Sequence, residues 1–172
     1  MLKPLFALVI IAGVCASLLA LTQTLTDERI QSNVAERELQ LITDLTGIAP
    51  ATTGSWSGDV WNLCNGMVLA RTEVAGYGGP VALVIALTSA RDEYRLRGLR
   101  ITRHQETPGL ADFLGQPEQG WLVQLPSRTS AELSEIDTVA GATITSRAVL
   151  RGVLQARALA QEHAQTLQGC SS

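Results

Sequence analysis

The sequence predicts an α+β fold: a small domain with a twisted sheet and flanking helices, preceded by one N-terminal transmembrane helix. Three observations support this class. An apolar run opens the chain, strand-like segments occupy its middle, and its last third has helical periodicity. We expect residues 1–24 to form the anchor, 25–50 a helical connector and 51–172 the globular domain. About 150 residues remain after the anchor, which is enough for one domain with a sizeable core.

The stretch from Pro4 to Thr22 contains no charged residue and is almost wholly apolar. As a helix it reaches about 28 Å, close to the thickness of a bilayer's hydrocarbon core. A cleaved secretory signal is the alternative, but the apolar run is long for one, and Leu18 is a poor −3 residue for cleavage after Ala20. The sequence favours an uncleaved anchor with residues 4–22 in lipid. Lys3 before the span predicts that the rest of the chain lies outside, which in a bacterium is the periplasm.

An amphipathic helix is predicted from Thr26 to Leu45. Its apolar side chains recur near helical spacing, with charged residues between them: Ile30, Val34, Leu41 and Leu45. Residues 46–58 are rich in Gly, Thr and Ser and are expected to form a loop. The helix is therefore expected to carry the chain from the membrane to the globular domain.

Strand character recurs through the middle of the chain. Val60–Glu73 and Pro80–Thr88 are predicted strands. Another is predicted from Tyr94 to Thr102 around a turn at Gly98, and a short one from Trp121 to Leu125. The tryptophans are expected to be core or rim residues rather than electron relays. These segments supply the predicted sheet.

The clearest soluble helix is predicted from Ile144 to Leu167, directly after the segment Asp-Thr-Val-Ala-Gly-Ala-Thr at 137–143. Thr143 is therefore expected near a helix N-terminus, where free N–H groups and the helix dipole can hold a phosphate. Gly141 can take a positive φ angle and, with Ala142, leaves room for a bulky group. Asp137 offers an oxygen to a metal or a hydrogen bond. An ordinary turn with a hydroxyl cap, at Thr145 or Ser146, is the alternative.

Two further segments stand out: Gly76-Tyr77-Gly78-Gly79-Pro80, and His104-Gln105-Glu106-Thr107-Pro108-Gly109-Leu110-Ala111. The first is a turn whose glycines let a ring system lie against the backbone, and the second contains a Pro-Gly turn with positive φ at Gly109. With residues 137–143, they resemble the G subunit of the Rnf-type electron-transport complex. They are more distantly similar to the C subunit of the sodium-pumping NADH:quinone oxidoreductase. Ala140 and Ala111 depart from that family's Ser/Thr and Gly.

The resemblance implies a domain that carries flavin mononucleotide (FMN), joined covalently through a phosphoester to Thr143. Thr145 is the alternative attachment site. A separate flavin transferase would place FMN on the chain, using FAD and magnesium. The family's motifs map the cofactor site onto these residues: Thr143, Asp137, Gly141, Ala142, Tyr77, Gly78, Glu106, Thr107, Pro108, Gly109 and Leu110.

The implied function is that of an electron-carrying subunit in a bacterial inner-membrane complex. The complex passes electrons between ferredoxin and NAD and couples this to ion translocation, with the other Rnf subunits as partners. The sequence contains no dinucleotide fingerprint, so the chain is expected to be a redox subunit of a translocase, not a catalyst alone. Two alternatives stay open: an anchored flavoprotein of another periplasmic electron route, and an assembly subunit without flavin.

Composition excludes several classes of function. The formal charge is −3 and no Lys/Arg block occurs, so nucleic acid is not an expected partner. Cys64 and Cys170 show no Cys-x-x-Cys spacing, and His104 and His163 lie far apart, so no metal site is expected. The two cysteines are not expected to pair, because Cys170 lies in a polar tail, and Cys15 is expected to be a small apolar residue in the membrane.

Overall fold

The computed structural model describes residues 2–47, 56–63, 66–90, 93–116 and 119–163. The helices and strands, in chain order, are α1 (Leu2–Thr46), β1 (Val60–Asn62), β2 (Met67–Ala75), β3 (Pro80–Ala90), β4 (Glu93–Arg103), α2 (Ser130–Ser134) and α3 (Thr143–His163). Two short 3₁₀ helices, Asp112–Gly115 and Leu122–Gln124, lie between β4 and α2. The predicted α+β class is confirmed.

Helix α1 contains one segment, Phe6–Asp27, that is long and apolar enough to cross a membrane. Its mean hydropathy is 2.2 and none of it is buried inside the protein. Large apolar side chains are exposed along it, among them Phe6, Val9, Ile10, Val14, Leu18 and Leu25. This segment fits a single-pass membrane anchor.

The predicted anchor and connector helices form one continuous helix. The predicted start at Thr26 is wrong, because no Gly or Pro interrupts the chain between Gly13 and Gly47. The helix ends at Gly47, whose φ is 73° and whose N–H donates to the Thr43 carbonyl at 2.7 Å. The burial of Ile30 and Val34 lies outside the described residues, as do most of the predicted loop residues 46–58.

Residue contacts divide the chain into two compact units, Met1–Leu41 and a second unit that begins at Ile42. The last turn of α1 belongs to the second unit, where Ile42, Leu45 and Thr46 are buried. The C-terminal end of α1 therefore contributes side chains to the core of the second unit.

The four strands form one antiparallel sheet in the order β1-β2-β3-β4. The predicted turn at 76–79 joins β2 to β3, with the Gly76 N–H donating to the Gly79 carbonyl at 2.9 Å. The strand character predicted over Val60–Glu73 is confirmed in β1 and β2, but the segment forms two antiparallel strands and not one. The missed signal is the Asn-Gly pair at 65–66, a typical hairpin turn, and Gly66 has a φ of 82°.

The turn predicted at Gly98 is also wrong, since β4 is continuous through it. The register shifts by one residue between the pairs Ala86↔Gly98 and Leu87↔Leu96, as in a β-bulge. A Cβ atom added to Gly98 would lie 3.3 Å from Leu45 Cδ2. Glycine therefore allows the last turn of α1 to pack closely against β4.

Helix α3 packs on the sheet, mainly against β2. A Cβ atom on Gly152 would lie 3.0 Å from Leu83 Cδ1 and 3.2 Å from Thr72 Oγ1. The glycine costs about 1 kcal/mol of helix propensity relative to alanine, but it permits this close approach. The described helix ends at His163, so the predicted end at Leu167 lies outside the described residues.

The segment Trp121–Leu125 is not the predicted strand but a 3₁₀ turn. Trp121, Leu122 and Leu125 are buried, and their spacing is helical rather than alternating. Trp61 is buried and Trp56 half-buried beside it, in agreement with the core or rim prediction. Cys64 and Cys170 lie outside the described residues.

Helix α2 was not predicted, although Thr129-x-x-Glu132 is a capping-box sequence. The Glu132 N–H donates to Thr129 Oγ1 at 3.2 Å, and the Thr129 N–H donates to the Glu132 carboxylate at 2.7 Å. The Thr129 N–H and the Thr129 hydroxyl both donate to the Glu132 carboxylate, and these two hydrogen bonds lower the pKa of the Glu132 carboxyl. The cap fixes the start of a helix that leads toward the 137–143 segment.

Candidate cofactor-binding site

A surface cleft of about 370 Å³ lies where three segments of the chain meet. They are the turn between β2 and β3, the loop after β4 and the first turn of α3. The cleft is lined by Tyr77, Glu106, Thr107, Leu110, Ala111, Gly141, Ala142, Thr143, Ile144 and Thr145. All three sequence motifs therefore contribute to one site.

Thr143 is the first residue of α3, and it is exposed. The first N–H groups of an α-helix have no partner within the helix, and the helix dipole is positive at this end. Gly141, just before it, has a φ of 80°, in agreement with the prediction. A Cβ atom on Gly141 would lie 3.4 Å from Leu110 Cδ2, so glycine also fits the contact between these two segments. The cleft thus combines an exposed hydroxyl with the positive end of a helix.

Thr145 and Ser146 do not cap α3 as the alternative interpretation required. Ser146 Oγ donates to the Ala142 carbonyl at 2.9 Å and accepts the Val139 N–H at 3.1 Å. Thr145 Oγ1 donates to Glu106 Oε2 at 2.8 Å, and only 2% of Thr145 is exposed. Burial therefore distinguishes the Thr145 hydroxyl from that of Thr143.

The Glu106 carboxylate joins all three segments of the cleft. Glu106 is 8% exposed; its Oε1 accepts the Gly78 N–H at 3.2 Å and its Oε2 accepts the Thr145 hydroxyl. Hydrogen bonds to a charged acceptor are stronger than neutral ones, so this carboxylate holds the turn and the helix against its own loop.

The glycines of the β2–β3 turn make room for that loop. A Cβ atom on Gly78 would lie 2.3 Å from the Gln105 carbonyl oxygen, and one on Gly76 would lie 2.0 Å from Glu106 Oε1. These glycines were expected to let a ring lie against the backbone. In the structure, Gly76 and Gly78 instead allow two protein segments to touch.

Exposed apolar side chains surround the cleft on all three segments. The predicted turn at Pro108-Gly109 is confirmed, since Gly109 has a φ of 88° and its N–H donates to Asp112 Oδ1 at 2.8 Å. Leu110 follows it and is 52% exposed. Tyr77 is 72% exposed and Ile144 is 51% exposed. A ligand with an extended apolar ring would find contacts here.

Most of the predicted site residues line the cleft: Tyr77, Glu106, Thr107, Leu110, Gly141, Ala142 and Thr143. Gly78, Pro108, Gly109 and Asp137 do not. Asp137 is exposed, and its backbone carbonyl accepts the Trp121 indole N–H at 2.6 Å. The prediction omitted two residues that line the cleft, Ala111 and Ile144. Ala111 is the last residue of the second motif and Ile144 directly follows residues 137–143, so both could have been included on that ground.

Within the described ranges, no three His, Cys, Asp or Glu side chains come together as a possible metal site. His104 is exposed, and its Nδ1 accepts the Glu106 N–H at 3.3 Å. This hydrogen bond helps to stabilise the loop that carries Glu106.

Comparison with known proteins matches two family models to this chain. The FMN-binding domain model matches residues 76–158, which contain all the cleft residues, and the RnfG N-terminal region model matches residues 1–45. The cleft therefore lies entirely within the part of the chain that is similar to FMN-binding domains.

Relatives from several organisms carry one common name, the G subunit of the ion-translocating oxidoreductase complex. The chain is 30% identical over 168 residues to the protein of that name from Methanosarcina acetivorans, covering 86% of this chain and 88% of that protein. It is 39% identical over 92 residues to the one from Stutzerimonas stutzeri, covering 47% of this chain. The corresponding Pseudomonas aeruginosa protein is 34% identical over 107 residues, or 52% of this chain. These last two matches span 39% and 46% of the relatives' own length.

The same relationship thus covers both the N-terminal helix and the domain with the cleft. The chain belongs to the family of G subunits of ion-translocating oxidoreductase complexes, and it contains an FMN-binding domain.

Proposed function

We propose that Thr143 carries FMN through a phosphoester bond to its Oγ1. The observation that carries this proposal is the exposed Thr143 hydroxyl at the first residue of α3, inside a cleft of the FMN-binding domain. With FAD as the donor, the new P–O bond to threonine replaces the P–O bond to AMP, which leaves, and the hydroxyl proton is lost. The phosphodiester keeps one negative charge, which a helix N-terminus stabilises by about 0.3–1 kcal/mol.

The residues of the cleft fit the two halves of FMN. Its volume of about 370 Å³ is typical of a small cofactor pocket, and its exposed apolar side chains suit an isoalloxazine ring. Tyr77, Leu110 and Ile144 would contact the ring, while the N-terminus of α3 would hold the phosphate. The flavin, when bound, supplies the capacity to accept and release electrons. Glu106 would hold the three segments in place before the cofactor arrives.

The chain would then act as an electron carrier within an Rnf-type complex. We propose that the complex includes the other Rnf subunits, passes electrons between ferredoxin and NAD, and couples this to ion translocation. A separate flavin transferase would attach FMN to the chain during maturation. Residues 1–24 would be the anchor in lipid, 25–50 the connector, and 51–172 the FMN-binding domain in the periplasm. Covalent attachment would prevent loss of the cofactor by diffusion in that compartment.

The test is to co-express the full chain with a flavin transferase and measure intact mass and in-gel fluorescence. The wild type should gain the mass of one FMN less one water, which is the mass of FAD minus AMP, and should fluoresce. Thr143→Ala should do neither, and Thr143→Ser, which keeps a hydroxyl, should be modified. Thr145→Val should retain the flavin. An unmodified wild type would favour the alternative that the chain is an assembly subunit without flavin. Loss of the flavin only in Thr145→Val would indicate that Thr145, and not Thr143, is the attachment site.

A further inference from the structure

We infer that Arg147 is the counter-ion of the phosphate carried by Thr143. The inference rests on the proposed attachment site and adds the side chain that holds the phosphate once it is attached. The relevant chemistry is a phosphodiester monoanion next to a guanidinium group, a pairing that the fork of N–H donors on arginine favours.

Helical geometry places Arg147 next to Thr143. The two residues are four positions apart in α3, so they share one face with Cβ atoms about 5–6 Å apart. The Cα–Cβ bonds of a helix tilt toward its N-terminus, and long side chains extend toward the preceding turn. Both residues are exposed. The guanidinium group can therefore reach a phosphate on Thr143 without becoming buried.

The other arginines of α3 already bind protein groups. Arg151 donates to the Ala75 carbonyl at 3.0 Å. Arg157 is buried and donates to the Arg128 carbonyl and, at 2.9 Å, to Ser130 Oγ. For Arg147, no hydrogen bond or ion pair is found with any residue that the structure describes. Its donors are thus available for a ligand.

The charges around the start of α3 also point to an anion. The first turn of α3, at the positive end of the helix dipole, contains no acidic residue of its own, and the Glu106 carboxylate contacts it from the buried side, through the Thr145 hydroxyl. Arg147 adds a second positive charge close to that end, an arrangement that is unfavourable unless an anion lies beside it. The buried Glu106 carboxylate is already bound by the Gly78 N–H and the Thr145 hydroxyl. A phosphate on Thr143 would place a negative charge at the surface, on the exposed face of α3 that Arg147 shares.

A thermodynamic cycle built from melting temperatures, measured on the full chain in detergent, tests the pairing between Arg147 and the phosphate. The melting temperature is measured with and without attached FMN for the wild type, for Arg147→Gln and for Arg151→Gln, a matched control from the next turn. FMN should raise the melting temperature of the wild type and of Arg151→Gln equally. The rise should be smaller by about 2–6 °C in Arg147→Gln, because the phosphate loses its counter-ion. Arg147→Lys should recover most of the rise, since it keeps the charge.

Equal rises in the wild type and Arg147→Gln would overturn the inference while leaving the attachment at Thr143 intact. A wild type that accepts no flavin would instead refute the proposed function. If Arg147→Gln accepts no flavin and Arg147→Lys does, the requirement for charge at the phosphate is supported. If neither variant accepts flavin, Arg147 is assigned to recognition by the transferase, and the pairing is wrong.

Discussion

Two threonines in the first turn of α3 have opposite surroundings. Thr143 is exposed in the cleft, whereas Thr145 is buried and donates to the Glu106 carboxylate. The motif predicted that a hydroxyl would lie at a helix N-terminus, but it could not distinguish these two. Their difference arises from Glu106, which lies 39 positions from Thr145 and 28 from Gly78. Contacts over such separations depend on the folded sheet and are not visible in local sequence.

Replacing Thr145 by valine should destabilise the domain without preventing modification at Thr143. Valine has a similar shape but leaves the buried Glu106 carboxylate without one donor, so the free energy of unfolding should fall by about 1–3 kcal/mol. Thr143→Val should change it by less than about 0.5 kcal/mol, because Thr143 is exposed. Urea unfolding of the unmodified proteins measures both values. Equal losses in the two variants would contradict the role given to Glu106.

At the scale of helices and strands, most of the sheet could be predicted from sequence and its irregularities could not. The apolar segments Pro80–Thr88 and Tyr94–Thr102 correctly indicated β3 and β4. The glycine within β4 was interpreted as a turn, because its packing partner Leu45 comes from a distant part of the chain. Gly152 in α3 is a similar case. Its helix propensity is poor, but a larger residue there would collide with side chains of the neighbouring strands.

Replacing Gly152 by leucine should destabilise the packing of α3 on the sheet. The added side chain would collide with Leu83 and Thr72, and overpacking of this kind costs about 1–3 kcal/mol despite the better helix propensity. The matched control is Gln155→Leu at an exposed position of α3, which should change stability by less than about 0.5 kcal/mol. Chemical unfolding followed by circular dichroism measures the difference. A Gly152→Leu variant as stable as the wild type would show that α3 does not approach the sheet so closely.

At the scale of the whole molecule, hydropathy and motifs predicted the two parts of the chain. The uncharged N-terminal run is part of a helix that is apolar and long enough to span a bilayer. The three motifs, separated in sequence, meet in one cleft, and the similarity to FMN-binding domains covers them all. Neither the continuous course of α1 nor the start of the second compact unit at Ile42 was predicted. The first could have been inferred from the absence of Gly and Pro between Gly13 and Gly47, whereas the second depends on contacts formed after folding.

The proposed orientation can be tested with reporters fused after Ser172. Alkaline phosphatase, which is active only in the periplasm, should be active, and a reporter that fluoresces only in the cytoplasm should stay dark. Adding positive charge directly after the span, by Asp27→Lys with Glu28→Lys, should reduce phosphatase activity, because lysine and arginine favour the cytoplasmic side. The opposite pattern in the unmutated fusions would place the domain in the cytoplasm and contradict the proposed location.

The most direct test of the central claim is fragmentation of one peptide by mass spectrometry. Trypsin should release residues 129–147 from the flavin-modified chain, since it cuts after Arg128 and Arg147. We predict that the C-terminal fragment beginning at Ile144 is unmodified and that the fragment beginning at Thr143 is heavier by one FMN less one water. An increment on the fragment that begins at Thr145, or a peptide with no increment, would contradict attachment at Thr143.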